Sequence, residues 1–323
     1  MGQVPRYAAI DVGSNSIRLL VAEVNDRRTK TLVSDRQVVR LGTGVFRDGR
    51  LSESSVELAG RVLERMAEEF REWDVDAVRA VGTSALRDAA DSGRFIARAG
   101  EILGTPLEVI SGLEEARLVQ TGVTSRWPHP DKRILIVDVG GGSAQLIVSD
   151  GGRFVRAFSR PLGAVRLTEM FLKSDPPDSR EVSRLQKHVR EQIAAPLDEL
   201  CKTEPYRMVA TSSSASALVC AANDIKRSRR DEADGLAATS KQVRDLFRKV
   251  SERDIEDRAR IAGIGPRRAE IIIAGVAVLG EILERTGLPR LHYSNAGVRD
   301  GVIAELAART ETKSDRALVS VRR

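Results

Sequence analysis

The 323-residue sequence is 41% hydrophobic and 30% charged, which excludes global disorder and supplies apolar material for more than one core. Its formal charge of +6 favours anionic partners, and its longest apolar runs, such as 271–279, fall far short of the roughly 20 residues that span a bilayer. Cys201 and Cys220 lie outside any Cys-x-x-Cys setting and His129, His188 and His292 are scattered, which excludes a disulfide framework or a zinc site.

Residues 1–6 lead directly into a strand-like segment, 7–11, ending on Asp11, a candidate active-site residue. That argues against a cleaved leader and for a cytoplasmic protein. The turn Gly13-Ser14-Asn15-Ser16 and a strand over 17–24 complete a hairpin with a polar tip. Ser52 reads as the N-cap of a helix whose Val56, Ala59, Val62, Leu63, Met66 and Phe70 share one apolar stripe, a core face. A strand over 77–81, a helix over 86–103, a strand over 107–110 and a helix from Leu113 then alternate as in an α/β sheet. A hinge is expected at 122–126, followed by a linker turn at Trp127-Pro128.

A second unit starts at Arg133 with a strand to Asp138, the turn Gly140-Gly141-Gly142-Ser143 and a strand over 144–148. An offset of 127 pairs Asp11 with Asp138, Gly13 with Gly140, Ser16 with Ser143, Leu19 with Leu146 and Val21 with Val148. Solenoid repeats run about 20–50 residues, so a repeat this long is a duplicated domain. The expected layout is two α/β lobes, 1–124 and 125–309, with a basic, fraying tail over 310–323. The charge run 226–235 reads as a solvated loop.

Each repeated turn sets an aspartate at a strand end before small residues whose amides can approach phosphate oxygens. Facing each other, the two turns would clamp phosphate through Gly13, Ser14, Asn15, Ser16 and Gly140, Gly141, Gly142, Ser143. Asp11 and Asp138 are candidate Mg²⁺ ligands, since Mg²⁺ commonly takes one or two carboxylates and completes its shell with water and phosphate. Glu114 and Glu115 open a helix, where the dipole favours negative charge, and either explanation, capping or chemistry, suits them. Arg87, one turn past Thr83 and Ser84, can fork onto phosphate or simply face solvent.

Taken together, Ala9-Ile-Asp-Val-Gly-Ser-Asn-Ser16, Val81-Gly-Thr-Ser-Ala-Leu-Arg87, Ile110-Ser-Gly-Leu-Glu-Glu-Ala-Arg117 and Val137-Asp-Val-Gly-Gly-Gly-Ser143 resemble the exopolyphosphatase and guanosine pentaphosphate phosphohydrolase family. The likeness continues through Pro266-Arg-Arg-Ala-Glu-Ile-Ile272 and Ser294-Asn-Ala-Gly-Val-Arg-Asp-Gly301. It implies two actin-like, ribonuclease H-like domains around a cleft, in the short form without a further helical domain. It also implies Glu115 as catalytic base, Arg87 as a phosphate grip, and Asp11 and Asp138 as Mg²⁺-linked acids. The substrate implied is inorganic polyphosphate or guanosine pentaphosphate, with guanosine tetraphosphate as a ligand, and the assembly a homodimer. Neither nucleic acid nor a membrane is an expected partner. Gln145 stands where the family usually carries glutamate, and the 210–214 turn lacks a customary glycine. Both departures leave room for a binding module without turnover.

Overall fold

The structure, a computed structural model, describes residues 4–25, 28–127 and 132–321, with side chains to residue 310. Strands β1 (Arg6–Val12), β2 (Ser16–Asn25), β3 (Arg28–Val38), β4 (Ala77–Gly82) and β5 (Leu107–Val109) form one sheet, ordered β3-β2-β1-β4-β5. The first three are an antiparallel meander, and β4 and β5 run parallel to β1. A second sheet contains β6 (Arg133–Val139), β7 (Ala144–Asp150), β8 (Arg153–Arg160), β9 (Arg207–Thr211), β10 (Ala237–Thr239) and β11 (Arg290–Tyr293), ordered β10-β11-β9-β6-β7-β8. Without its edge strand β10, this sheet repeats the order and directions of the first. The duplication expected from the two hairpins is therefore a duplication of a whole ribonuclease H-like sheet, giving the actin-like pair of lobes.

Strands β1 and β6 are buried along nearly their whole length because helices cover both faces of each sheet. On one side of the first sheet, the helix Glu53–Glu72 buries the expected stripe at Ala59, Val62, Leu63, Met66 and Phe70. Ser52 caps it by accepting from the Ser55 amide at 3.3 Å. The second lobe has its own core around Leu135, Leu146, Leu185, Val189, Ile272 and Leu279. A third apolar cluster joins the lobes, with Ala9, Leu20, Leu118, Val119, Ile136, Val209, Val302 and Ile303 in contact.

Several expectations change. The helix read over 86–103 is two helices, Ser84–Asp88 and Ser92–Leu103. The break lets the Ala90 amide reach the Gly49 carbonyl and the Asp91 carboxylate accept from the Leu51 amide. Residues 122–126, read as a hinge, complete the continuous helix Gly112–Arg126. In the linker turn beyond it, Pro128 lies outside the described residues, as does His129. The last helix, Val298–Val321, packs on Gly112–Arg126 and β1, so it crosses back toward the first sheet, and its backbone continues through 310–321, where a fraying tail was expected. A Cβ on Gly122 would lie 2.9 Å from the Gly301 amide and collide with the Gly297 carbonyl, so glycine there permits backbone-to-backbone contact. No described helix is long and apolar enough to cross a membrane.

Candidate active site

The two hairpin tips face each other across the interlobe cleft. Each turn closes the same way, Gly13 donating to the Ser16 carbonyl at 3.1 Å and Gly140 to that of Ser143 at 2.9 Å. A Cβ on Gly141 would come within 2.9 Å of Ser14 Cβ and 3.1 Å of the Asn15 nitrogen, so the tips touch and only glycine fits. The amides of Gly141 and Gly142 reach no carbonyl acceptor among the described residues. Asn15 Nδ2 is buried without an acceptor and lines the same pocket. A buried donor costs free energy until an acceptor arrives, so this arrangement suits an anion.

The pocket between the tips is lined by Asp11, Gly13, Ser14, Asn15, Ser16, Glu115, Asp138, Gly140, Gly141, Gly142 and Ser143. All the sequence-predicted site residues except Arg87 therefore line one pocket. Arg87 stands behind it: both terminal nitrogens reach Glu115 Oε2 at 3.1 Å, and Nη1 also donates to the Ile110 carbonyl at 2.8 Å. Here Arg87 holds the carboxylate rather than the phosphate loops. Ser14 is likewise shared, its hydroxyl accepting from the Ala85 amide and thereby docking the helix that carries Arg87.

Three carboxyls converge with too little positive charge. Burial is the main cause that pushes Glu115 up to about 8, with Arg87 opposing it and Asp138 and Asp11 adding to it. Burial, with Arg18 opposing and Asp11 reinforcing, lifts Asp138 to about 6. Asp11 is raised chiefly by burial, against Arg18 and Arg299. Such a cluster gains from a bound cation. Among the described residues no group of three or more His, Cys, Asp or Glu is arranged around a metal position. Two carboxylates nevertheless suffice for Mg²⁺ when water and phosphate complete the shell. Gln145, register partner of Asp138, has a buried Oε1 without a donor, while its Nε2 donates to the hydroxyls of Ser143 and Ser159.

From this pocket the cleft continues into a basic arm lined by Arg18, Arg36, Arg227, Arg230, Arg267, Arg268 and Arg299. Asp11, Arg18, Thr211, Ser212, Ser213 and Arg268 border both spaces. Burial and the neighbouring Arg18 and Arg227 pull Arg268 down to about 9. Burial and Arg268 push Arg36 the same way, and its Nε is buried without a partner. These residues went unrecognised in the sequence. Arg18 had one available signal, a charge in a strand otherwise apolar and buried. Arg227 and Arg230 belong to the stretch read as a solvated loop; it is exposed at every residue but Ala233, and it forms a short 3-10 segment, Arg227–Ala233, at the rim of the arm. In the 210–214 turn the left-handed backbone falls on Ser212 (φ 81°), whose hydroxyl donates to the Val139 carbonyl at 2.8 Å. That serine takes the conformation glycine would adopt without strain.

A model of the Ppx/GppA phosphatase family matches residues 20–310. The chain belongs to that family. Exopolyphosphatase 2 of Mycobacterium tuberculosis is 34% identical over 324 residues, covering 94% of this chain and 98% of that protein. The crystal structure of an Aquifex aeolicus Ppx/GppA family member superposes with a TM-score of 0.80 at 29% identity, covering 95% of this chain and 99% of that one. An exopolyphosphatase-like protein superposes at 0.90 with 27% identity, covering 96% and 99%. These matches extend over both lobes, so this Ppx/GppA protein is a two-lobed enzyme of the phosphatase family.

Proposed function

We propose that this protein releases terminal orthophosphate from linear inorganic polyphosphate. The observation that carries the reading is the junction of two spaces: a small pocket with unused amide donors, and an arm where Arg18, Arg36, Arg227 and Arg268 form no ion pair with any described carboxylate. The pocket suits one phosphoryl group, and the arm suits the repeating charge of the chain behind it. Tyr293 is the single aromatic residue along the arm, and it is buried, which offers little for a nucleoside base to stack on.

In the reaction, water held by Glu115 attacks the terminal phosphorus in line with the bridging oxygen. The P–O bond to the chain breaks, the water proton passes to Glu115, and the products are orthophosphate and a chain shorter by one unit. The Gly141 and Gly142 amides and Asn15 Nδ2 steady the charge gathering on the phosphoryl oxygens. Arg87 orients the Glu115 carboxylate. Asp11 and Asp138, with Gln145 beside them, would hold Mg²⁺, which supplies further positive charge to those oxygens.

Phosphate release from long-chain polyphosphate and from guanosine pentaphosphate, measured in parallel with and without Mg²⁺, tests this reading. Mg²⁺-dependent release from polyphosphate that disappears in Glu115→Ala is expected. Release confined to guanosine pentaphosphate would move the substrate to the nucleotide, and unchanged release by Glu115→Ala would remove the base assignment.

A further inference from the structure

Behind the phosphate loops, among residues that do not line the basic arm, a set of contacts crosses the cleft that the chemistry above does not use. Arg166, on the second-lobe helix Ala164–Phe171, donates through Nε to the Gly142 carbonyl at 2.8 Å and through Nη2 to Ser84 Oγ at 3.3 Å. The same guanidinium pairs with Asp88 and lies 3.9 Å above the centre of the Phe46 ring. Phe46 belongs to the first lobe, in the short helix Val45–Asp48. Two residues before it, the Gly44 amide donates to Glu169 Oε1 of the second lobe at 2.8 Å.

Phe46 also touches the second loop directly and the first through Gly42. A Cβ on Gly42, whose amide donates to the Ser14 carbonyl, would lie 3.0 Å from Phe46 Cε2. A Cβ on Gly142 would lie 2.5 Å from Phe46 Cζ. The helix carrying Arg166 is rooted in the second loop, its Ala164 and Val165 amides donating to the Gly140 and Gly141 carbonyls at 2.9 and 2.8 Å. A single guanidinium thus connects the second loop, the helix that bears Arg87 and the Phe46 ring. Another cross-lobe ion pair, Arg40 with Glu270, is solvent-exposed on both sides and contributes little on its own.

We propose that Phe46 and Arg166 form an interlobe clasp that sets the spacing of the two phosphate loops, acting as positioning residues for the amides that grip the terminal phosphoryl group. The clasp rests on the phosphatase reading above. With the ring and guanidinium in place, the loops stay in contact and their free donors converge on one point. Without them, the contact between the loops relaxes, while the basic arm, whose lining includes neither residue, still holds the chain.

The consequence is a split between kinetic constants. With long-chain polyphosphate as substrate, Phe46→Leu and Arg166→Ala are each expected to lower kcat by about 10- to 100-fold while KM moves by no more than about threefold. Phe46→Tyr, which keeps an aromatic face under the guanidinium, is expected to retain most of kcat. The double variant Phe46→Leu/Arg166→Ala should lose no more than the worse single change, since both remove one device. Asp88→Asn, at a partly exposed position that leaves the core intact, gives a milder loss in the same constant and guards against variants that fail to fold.

Additive losses in the double variant, or a loss that appears in KM with kcat intact, would overturn the clasp. An active wild type with all four single variants undiminished would overturn it equally, leaving the proposed function standing. A wild type that releases no phosphate from polyphosphate fails the functional reading instead, and the two failures are thereby told apart.

Discussion

The two hairpins are the same device built twice, and they differ at one telling position. In the first, Asp11 faces Arg18 across the β1–β2 register. In the second, the equivalent pair across β6 and β7 is Asp138 and Gln145. Duplication supplies two carboxylates and two amide-bearing turns, but only one of them with a cation beside it. Arg18 opposes the rise of both aspartates, and it also donates to Ser213 Oγ of the other lobe at 3.1 Å. One hairpin therefore presents positive charge to the cleft, while the other keeps neutral oxygen and amide groups beside the carboxylate.

The largest effect expected concerns the residue that has no counterpart in the repeat. Glu115→Gln should lower kcat by about 10²- to 10⁴-fold, the usual worth of a positioned general base, measured as phosphate release. Next comes the removal of either duplicated aspartate. Asp11→Asn and Asp138→Asn should each cost about 10²-fold or more and raise the Mg²⁺ concentration needed for half-maximal rate. If one of them proves neutral, the hairpins are not working as a pair.

Making the hairpins alike is the sharper comparison. Arg18→Gln copies the second hairpin's neutral partner onto the first. It should raise KM for long chains by about tenfold, since a charge-assisted contact of this kind is worth roughly 1.5–3 kcal/mol. The opposite exchange, Gln145→Glu, adds a third acidic oxygen donor and should lower the Mg²⁺ requirement severalfold, read from the metal dependence of the rate.

A change of another kind is one of stability, measured by thermal denaturation without divalent ions. Glu115 titrates at about 8 in the fold against an ordinary 4.5, so its contribution is fully present below the ordinary value and lost as pH climbs through about 8. Glu115→Gln should therefore be more stable than wild type above that pH, on the order of a few kcal/mol, and show no such advantage near pH 4. A melting temperature lowered equally at both pH values would mean that burial of the carboxylate is not what strains the site.

Much of this was readable in advance because the repeat places its polar residues where apolar ones should be. Asp11, Asp138 and the glycine-rich tips interrupt strands that are otherwise Ala, Ile, Leu and Val, and the helix of Glu53–Glu72 announces itself by spacing alone. Strands β3 and β8 were missed because they are half-exposed outer strands, interrupted by Arg, with Lys and Thr besides in β3, so their alternation carries little apolar contrast. The basic arm was invisible for another reason. Arg18, Arg36, Arg227, Arg268 and Arg299 come from five separate segments, and only the fold brings their like charges to one cleft. Gly122 misled in the opposite direction, since a glycine taken as a point of flexibility is there to let two backbones meet.

That meeting point constrains how the molecule breathes. Where Gly112–Arg126 crosses Val298–Val321, Gly122, Gly297 and Gly301 leave no side chain between the helices, and a Cβ at Gly301 would strike the Leu118 carbonyl. Side chains at an interface can change rotamer and let one element slide past another, whereas bare backbone has nothing to exchange. The crossing thus behaves like a peg in a notch: one helix cannot slip along the other, and Glu115, seated in the first turn of Gly112–Arg126, keeps its height against Val298–Val321.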